Sequence, residues 1–139
     1  MSRRGFELLT HTADTGFRAY AEDLNGVLEE ACRALVAVAM DASRAVTAEW
    51  RTVEAAGETL EDLAVNLLNE VLWLIDGERW TPAVVEVKAG EGSAAARLGG
   101  EPRDDSRHPP RIVVKAATYH QIRIGPSGGG WAAEIYLDI

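Results

Sequence analysis

The chain has 139 residues and a mass of 15.0 kDa, is 47% hydrophobic and carries a net charge of -8. A single domain of this size buries about 70% of the surface its unfolded chain exposes, so it needs no disulfide framework. Its one cysteine, Cys32, could build none within a monomer and points to a reducing, cytoplasmic setting. No signal-peptide pattern opens the sequence, no run of about eighteen apolar residues is present to span a membrane, and the acidic balance opposes binding of bulk duplex nucleic acid.

In chain order, Phe6 to Thr10 and Gly16 to Glu22 read as strands flanking a short polar connection, His11-Thr-Ala-Asp-Thr15. Asp23 is a good N-cap, and Leu24, Val27, Leu28, Ala31, Leu35 and Ala39 mark one apolar stripe of a helix running to Met40. A strand is expected over Val46 to Ala55. A second helix opens on Thr59-Leu-Glu-Asp62, a variant of the capping box, and stops near Gly77 with Leu60, Leu63, Leu67, Val71 and Ile75 inward. Ala83 to Ala89 reads as a strand, and Ala94 to Gly99 as a weak one, since alanine and glycine are poor strand formers. Gly99 to Pro110, with three prolines and mixed charge, predicts an irregular surface loop. Ile112 to Ile124 predicts one long alternating strand with His120 on its inward face, and Gly125 to Gly130 a loop. The last strand alternates Trp131, Ala133, Ile135, Leu137 and Ile139 against Ala132, Glu134, Tyr136 and Asp138. These elements argue for one α+β domain over 1–139, with two amphipathic helices packed on a mostly antiparallel sheet in strand–helix–strand–strand modules.

The sequence contains no phosphate-binding loop, dinucleotide turn or nucleophile elbow. Cys32 sits beside the apolar stripe of the first helix and reads as structural. What remains is Asp14 in the first connection, preceded by His11, and Asp138 beside the C-terminal carboxyl of Ile139. Carboxyl groups in consecutive residues form an oxygen-rich ligand set for a hard divalent cation, which a third carboxylate from a loop would extend. Each also has a plain reading: a turn aspartate for Asp14, a solvated charge for Asp138, a surface residue for His108 and a hydrogen-bonded core residue for His120.

Several segments resemble one family. His11-Thr-Ala-Asp-Thr-Gly16 is similar to the His-Thr-Ala-Asp opening of the archease family, and Leu67-Leu-Asn-Glu-Val-Leu72 to its Leu-Asn-Glu-Leu-Leu run. Lys115-Ala-Ala-Thr-Tyr-His120 resembles its Lys-Ala-Val-Thr-Tyr-His motif, and Gly130-Trp with Leu137-Asp138-Ile139 its Gly-Trp and terminal Asp-Ile pattern. Ala117 stands where a valine is common, and Val65-Asn66 replaces a more usual Glu-Trp. The resemblance implies an accessory protein, not itself an enzyme, that activates an RtcB-type RNA ligase in tRNA splicing and RNA repair by promoting guanylylation and multiple turnover. RNA would be met only through the ligase. It further implies a divalent-cation site (Ca2+, Mg2+ or Mn2+) on Asp14, Asp138 and Ile139, with no catalytic residue and with His11, Lys115 and His120 in supporting or partner-contact roles. An activator that carries metal in this way would suit the acidic balance, since an RNA ligase cleft is basic. The alternatives are a stand-alone metal-dependent phosphoester hydrolase using His11, Asp14 and His120, a small-ligand-binding domain, and a purely structural interaction module.

Overall fold

A computed structural model describes residues 3–11 and 14–139, apart from the side chains of Thr10, His11 and Asp14. Strands β1 (Gly5–His11) and β2 (Asp14–Ala21) form the first hairpin and lead into helix α1 (Leu24–Ala39). Asp23 caps it as expected, its carboxylate accepting from the Gly26 N–H at 2.7 Å. Strand β3 (Glu49–Ala56) precedes α2 (Leu60–Leu72), where the Thr59 hydroxyl accepts from the Asp62 N–H at 3.1 Å. A π-helical turn, Trp73–Gly77, ends that helix with the Glu78 N–H donating to the Trp73 carbonyl at 3.2 Å. Then come β4 (Trp80–Gly90), β5 (Ser93–Pro102), β6 (Ala116–Ala117), β7 (Arg123–Ser127) and β8 (Gly130–Asp138).

Every strand pairing is antiparallel, and the strands divide into two sheets. The larger runs β1-β2-β8-β6, with β7 also on β8; the smaller runs β3-β5-β4. The class is α+β as predicted, with the sheet split in two and each helix touching both parts. Helix α1 packs on β1, β2 and β8 and also on β4, while α2 packs on β3 and β5 and also on β6 and β7. That is why α1 is buried over most of its circumference, including the carboxylate of Glu30, which is held by Arg4 at 2.7 Å and Arg33 at 3.5 Å. The helices also satisfy strand donors that would otherwise lie at a sheet edge. Glu29 accepts from the Val87 N–H at 2.9 Å, Asn25 from the Ala89 N–H at 2.8 Å and Asn69 from the Ala117 N–H at 2.8 Å. One hydrophobic cluster fills the space between helices and sheets, with Phe17, Leu28, Leu35, Leu67, Ile75, Trp80 and Ile135 fully enclosed.

Three expectations need correction. The segment Ile112 to Ile124 is not one strand, because its beginning serves α1 instead. The Arg111 and Ile112 N–H groups donate to the carbonyls of Ala39 and Val38 at 2.9 and 3.2 Å, satisfying a helix end that would otherwise be orphaned. A turn then follows at Tyr119 to Ile122 with Gln121 at φ 52°, so His120 is exposed in that turn and not on an inward face. Second, the stretch read as a surface loop from Gly99 is strand to Pro102, and its histidine, His108, is completely buried. The weak strand of small residues is the central strand of the smaller sheet, where Gly100 is required because an added Cβ would collide with the Thr81 carbonyl. Third, the glycine-rich loop is a tight hairpin: β7 includes Gly125 to Ser127, and only Gly128 and Gly129, at φ +56° and +84°, form the turn. Two consecutive positive φ values are what a two-residue hairpin of the type I′ class demands.

Candidate functional site

The larger sheet gathers the segments singled out in the sequence at one end. In β2 and β8, Thr15 lies across from Leu137, so the register continued by one residue sets Asp14 across from Asp138. His11 pairs with Asp14 at the tip of the first hairpin; the side chains of both lie outside the described residues. On the other side of β8, Asp138 pairs with Ala116, and its carbonyl accepts the Lys115 N–H at 2.7 Å. Asp138 is exposed, and Ile139 is half exposed beyond it. The backbone thus brings Asp14, Asp138, Ile139, His11 and Lys115 to one edge.

One row further along, Gly16 lies across from Tyr136. A Cβ on Gly16 would come within 2.7 Å of both the Tyr136 ring and the Ile135 carbonyl, so only glycine lets that ring lie down on β2. His120 meets the same ring edge-on, at 6.1 Å between centroids and 68° between planes. Thr118 fixes this corner by donating its N–H and hydroxyl to the Tyr136 carbonyl at 3.0 and 3.2 Å. Helix α2 holds the outside of the corner, with Asn69 on Ala117 and with Asp62 accepting from the Tyr119 hydroxyl at 3.0 Å. That carboxylate raises the Tyr119 phenol above its ordinary range. The next row carries alternating charge across four strands: Glu7, Arg18, Glu134 and Arg123.

Sequence reasoning missed Gly16, Asn69 and Tyr136 as parts of this corner. Each sits in or beside a singled-out segment, yet their partners lie far along the chain, and spacing carries no sign of them. Lys115 contributes its main-chain N–H to the corner, while its side chain is exposed.

Two other groups are excluded as reactive centres by their surroundings. Cys32 is fully buried, and burial, aided by Glu29, pushes its thiol up to about 12. Thr81, His108 and Glu101 follow one another like a hydroxyl–histidine–carboxylate relay, at 3.2 and 3.0 Å. However, all three are buried, and His108 Nδ1 already accepts the Asp104 N–H at 3.0 Å. That bond fixes the tautomer, with Nε2–H donating to Glu101. Glu101 also accepts from the Val46 N–H and from Arg107, which hold its carboxyl below the usual carboxylate range. The relay therefore ties two loops to the smaller sheet.

Among the described residues, no group of three or more His, Cys, Asp or Glu side chains could hold a metal ion. The donor types at the sheet end still suit a hard cation: two aspartates that the register sets across from one another, together with the main-chain oxygen of Ile139. Like charges directly across an antiparallel pair are destabilising on their own, and a cation shared between them would reverse the sign.

These features define a small two-sheet, two-helix α+β domain with Asp138 exposed at one sheet end, beside a corner built from Gly16, Asn69, Thr118 and Tyr136. Residues 6–139 match the family model of the Archease protein family (MTH1598/TM1083). The chain is 34% identical to the protein archease of Methanosarcina mazei, with 96% of this chain and 95% of the relative covered, and 35% identical to that of Pyrococcus abyssi, with 96% and 98% covered. The solution structure of protein 1598 of Methanobacterium thermoautotrophicum superposes with a TM-score of 0.79 at 32% identity, covering 97% of this chain and 99% of that one. The crystal structure of an archease from Thermotoga maritima, titled a possible chaperone, shares the fold at a TM-score of 0.59 and 19% identity, with 94% of each chain covered. The chain belongs to the archease family. No helix is long and apolar enough to cross a membrane among the described residues.

Proposed function

We propose that this archease activates an RtcB-type RNA ligase by bringing a divalent cation to the ligase's guanylylation site, and that Asp14, Asp138 and the main chain of Ile139 hold that cation. The observation that carries the reading is the register of β2 and β8, which sets two aspartates across from one another at an exposed sheet end. When bound, a cation such as Ca2+, Mg2+ or Mn2+ supplies positive charge for phosphate oxygens. The residues of this chain keep Asp138 at the surface and orient the edge that carries it. Lys115 fixes the main chain of Asp138, and Tyr136 on Gly16 with His120 against it stiffens the adjacent row. The net charge of -8 complements a basic RNA-binding cleft and opposes direct binding of RNA.

The test is transfer of labelled GMP from GTP to the ligase, with this protein at substoichiometric amounts. The unaltered chain should drive more than one round of guanylylation, while Asp14→Asn and Asp138→Asn should lose at least about tenfold of the stimulation, the loss expected when a metal's protein ligands are disturbed. Undiminished stimulation by both variants would remove the cation from the mechanism. Hydrolysis of simple phosphoesters by the protein alone, abolished by Asp14→Asn, would favour the hydrolase reading instead.

A further inference from the structure

The helices cover one face of the larger sheet, where Phe17, Ala19, Ala133, Ile135 and Leu137 are buried. On the opposite face the register sets rows along β2 and β8. Next to the Asp138 end stand Gly16 and Tyr136, and beyond them Arg18 and Glu134, with Arg123 on the far side of Glu134. Two tyrosines lie on this face. Tyr20 is covered by the Arg3 guanidinium at 4.5 Å, whereas the Tyr136 ring, laid over Gly16 with His120 at its edge, carries no cation among the described residues. The side chains of Arg18, Glu134 and Arg123 form no ion pair or hydrogen bond among the described residues, although they stand on neighbouring strands. They line a depression of about 610 Å³ together with Ile122, Pro126 and Glu61. An uncovered ring therefore sits between a cation-suited sheet end on one side and an unengaged carboxylate flanked by arginines on the other.

We propose that this face binds a guanine nucleotide, with the base on the Tyr136 ring, its Watson–Crick edge at Glu134 and its phosphate at the Asp138 end. Residues two apart on one face of a strand stand about 7 Å from each other. A purine stacked on Tyr136 therefore reaches one row to Glu134, and its ribose and phosphate reach one row the other way. Guanine N1–H and N2–H donate to the Glu134 carboxylate, which only accepts, and a flanking arginine, Arg18 or Arg123, donates to O6. Adenine offers a bare N1 lone pair at the same place, which the carboxylate repels, so the row selects guanine. Stacking on an aromatic side chain is favourable for any base and supplies the affinity that the edge contacts make specific. An oligonucleotide is a poorer occupant, because a chain of net charge -8 repels a run of phosphates. The phosphate end rests on the cation proposed above, since Asp138 alone would repel a phosphate; the base end stands without it.

Amide-shift titrations of the 15N-labelled full chain test this, with guanosine and adenosine in chelator and with GMP and AMP in Mg2+. Guanosine should give saturable shifts along the Gly16–Tyr136 and Arg18–Glu134 rows with a Kd of about 1 mM or below, at least about fivefold tighter than adenosine. Tyr136→Ala should weaken guanosine at least about fivefold, and Tyr136→Phe, which keeps the ring, should bind like the parent. Glu134→Gln, which touches no core residue, should bind guanosine and adenosine alike. GMP should bind more tightly than guanosine in Mg2+ and less tightly in chelator. No saturable shift with GMP up to about 10 mM, equal affinity for guanosine and adenosine, or a guanine preference that survives Glu134→Gln would each overturn the proposal. Selective guanosine binding with no gain for GMP in Mg2+ would overturn the cation and leave the base site standing.

Discussion

In the smaller sheet, the end that carries Thr81 and Glu101 is plugged: a loop folds back over it and inserts His108, and both ring nitrogens of that histidine find partners. In the larger sheet, Asp138 lies exposed at the end of its strand, open to solvent, and its corner is stiffened from the side by Tyr136, Thr118 and α2. Both sheets are antiparallel and share the same two helices, so the difference lies in what covers their ends. A buried polar network fixes structure at the cost of access, whereas like charges set across from one another on paired strands give up some stability, and an exposed carboxylate such as that of Asp138 remains available to a ligand. Stability should therefore reside at the plugged end and function at the open one.

The largest expected effect belongs to the plug. His108→Ala removes a buried ring and leaves Thr81, Asp104 and Glu101 short of partners, which should cost about 3 kcal/mol in urea unfolding. An equal cost for Asp138→Asn would erase the distinction between the two ends. Gly16→Ala should cost about 1–3 kcal/mol, since its methyl must displace the Tyr136 ring or the Ile135 carbonyl. The same change should shift the His120 ring resonances, and a variant with parental stability and unshifted His120 would remove Tyr136 from the corner. Smaller again, Asp138→Asn in chelator should stabilise the protein by about 0.2–1 kcal/mol, because the register sets two aspartates across from one another and like charges at such positions are destabilising. Destabilisation by that change without metal would show that Asp138 is held by something other than its opposite number.

The smallest effect is a change of slope. Glu101 is held below its ordinary value of 4.5 chiefly by the Val46 N–H, with Arg107 and His108 adding to it. A depressed carboxylate contributes its stability in full above that ordinary value and loses it as the pH falls through the lower folded value. Acid unfolding of the parent should therefore be steeper below about pH 4.5 than that of Glu101→Gln. Parallel profiles would place the acid sensitivity elsewhere.

Much of the fold was legible because it rests on local rules. Asp23 and Thr59 start helices where side-chain caps predict them, and the apolar alternation of the last strand survives in Ala133, Ile135 and Leu137. What failed rests on distant partners. Ile112 alternates like a strand residue, yet its N–H is needed by the end of α1, and no local pattern reports that need. The two histidines differ from expectation for separate reasons: the periodicity that predicts an inward His120 is interrupted by a turn at Gln121, and the prolines that predict a surface His108 carry no sign of its buried partners Thr81 and Glu101. In the candidate site, the backbone meeting of Asp14 and Asp138 could be guessed only through family resemblance, because the two residues lie at opposite ends of the chain. The π-helical turn at Trp73 has no sequence sign that we recognise.

The central claim is that Asp14 and Asp138 share one cation, and its most direct test is an NMR titration of the 15N-labelled full chain with Ca2+ and, separately, Mg2+. The account predicts saturable amide shifts confined to Asp14, Lys115, Asp138 and Ile139 and their strand neighbours, abolished in both Asp14→Asn and Asp138→Asn. Saturable shifts centred elsewhere, or shifts at that end that persist unchanged in both variants, would contradict it.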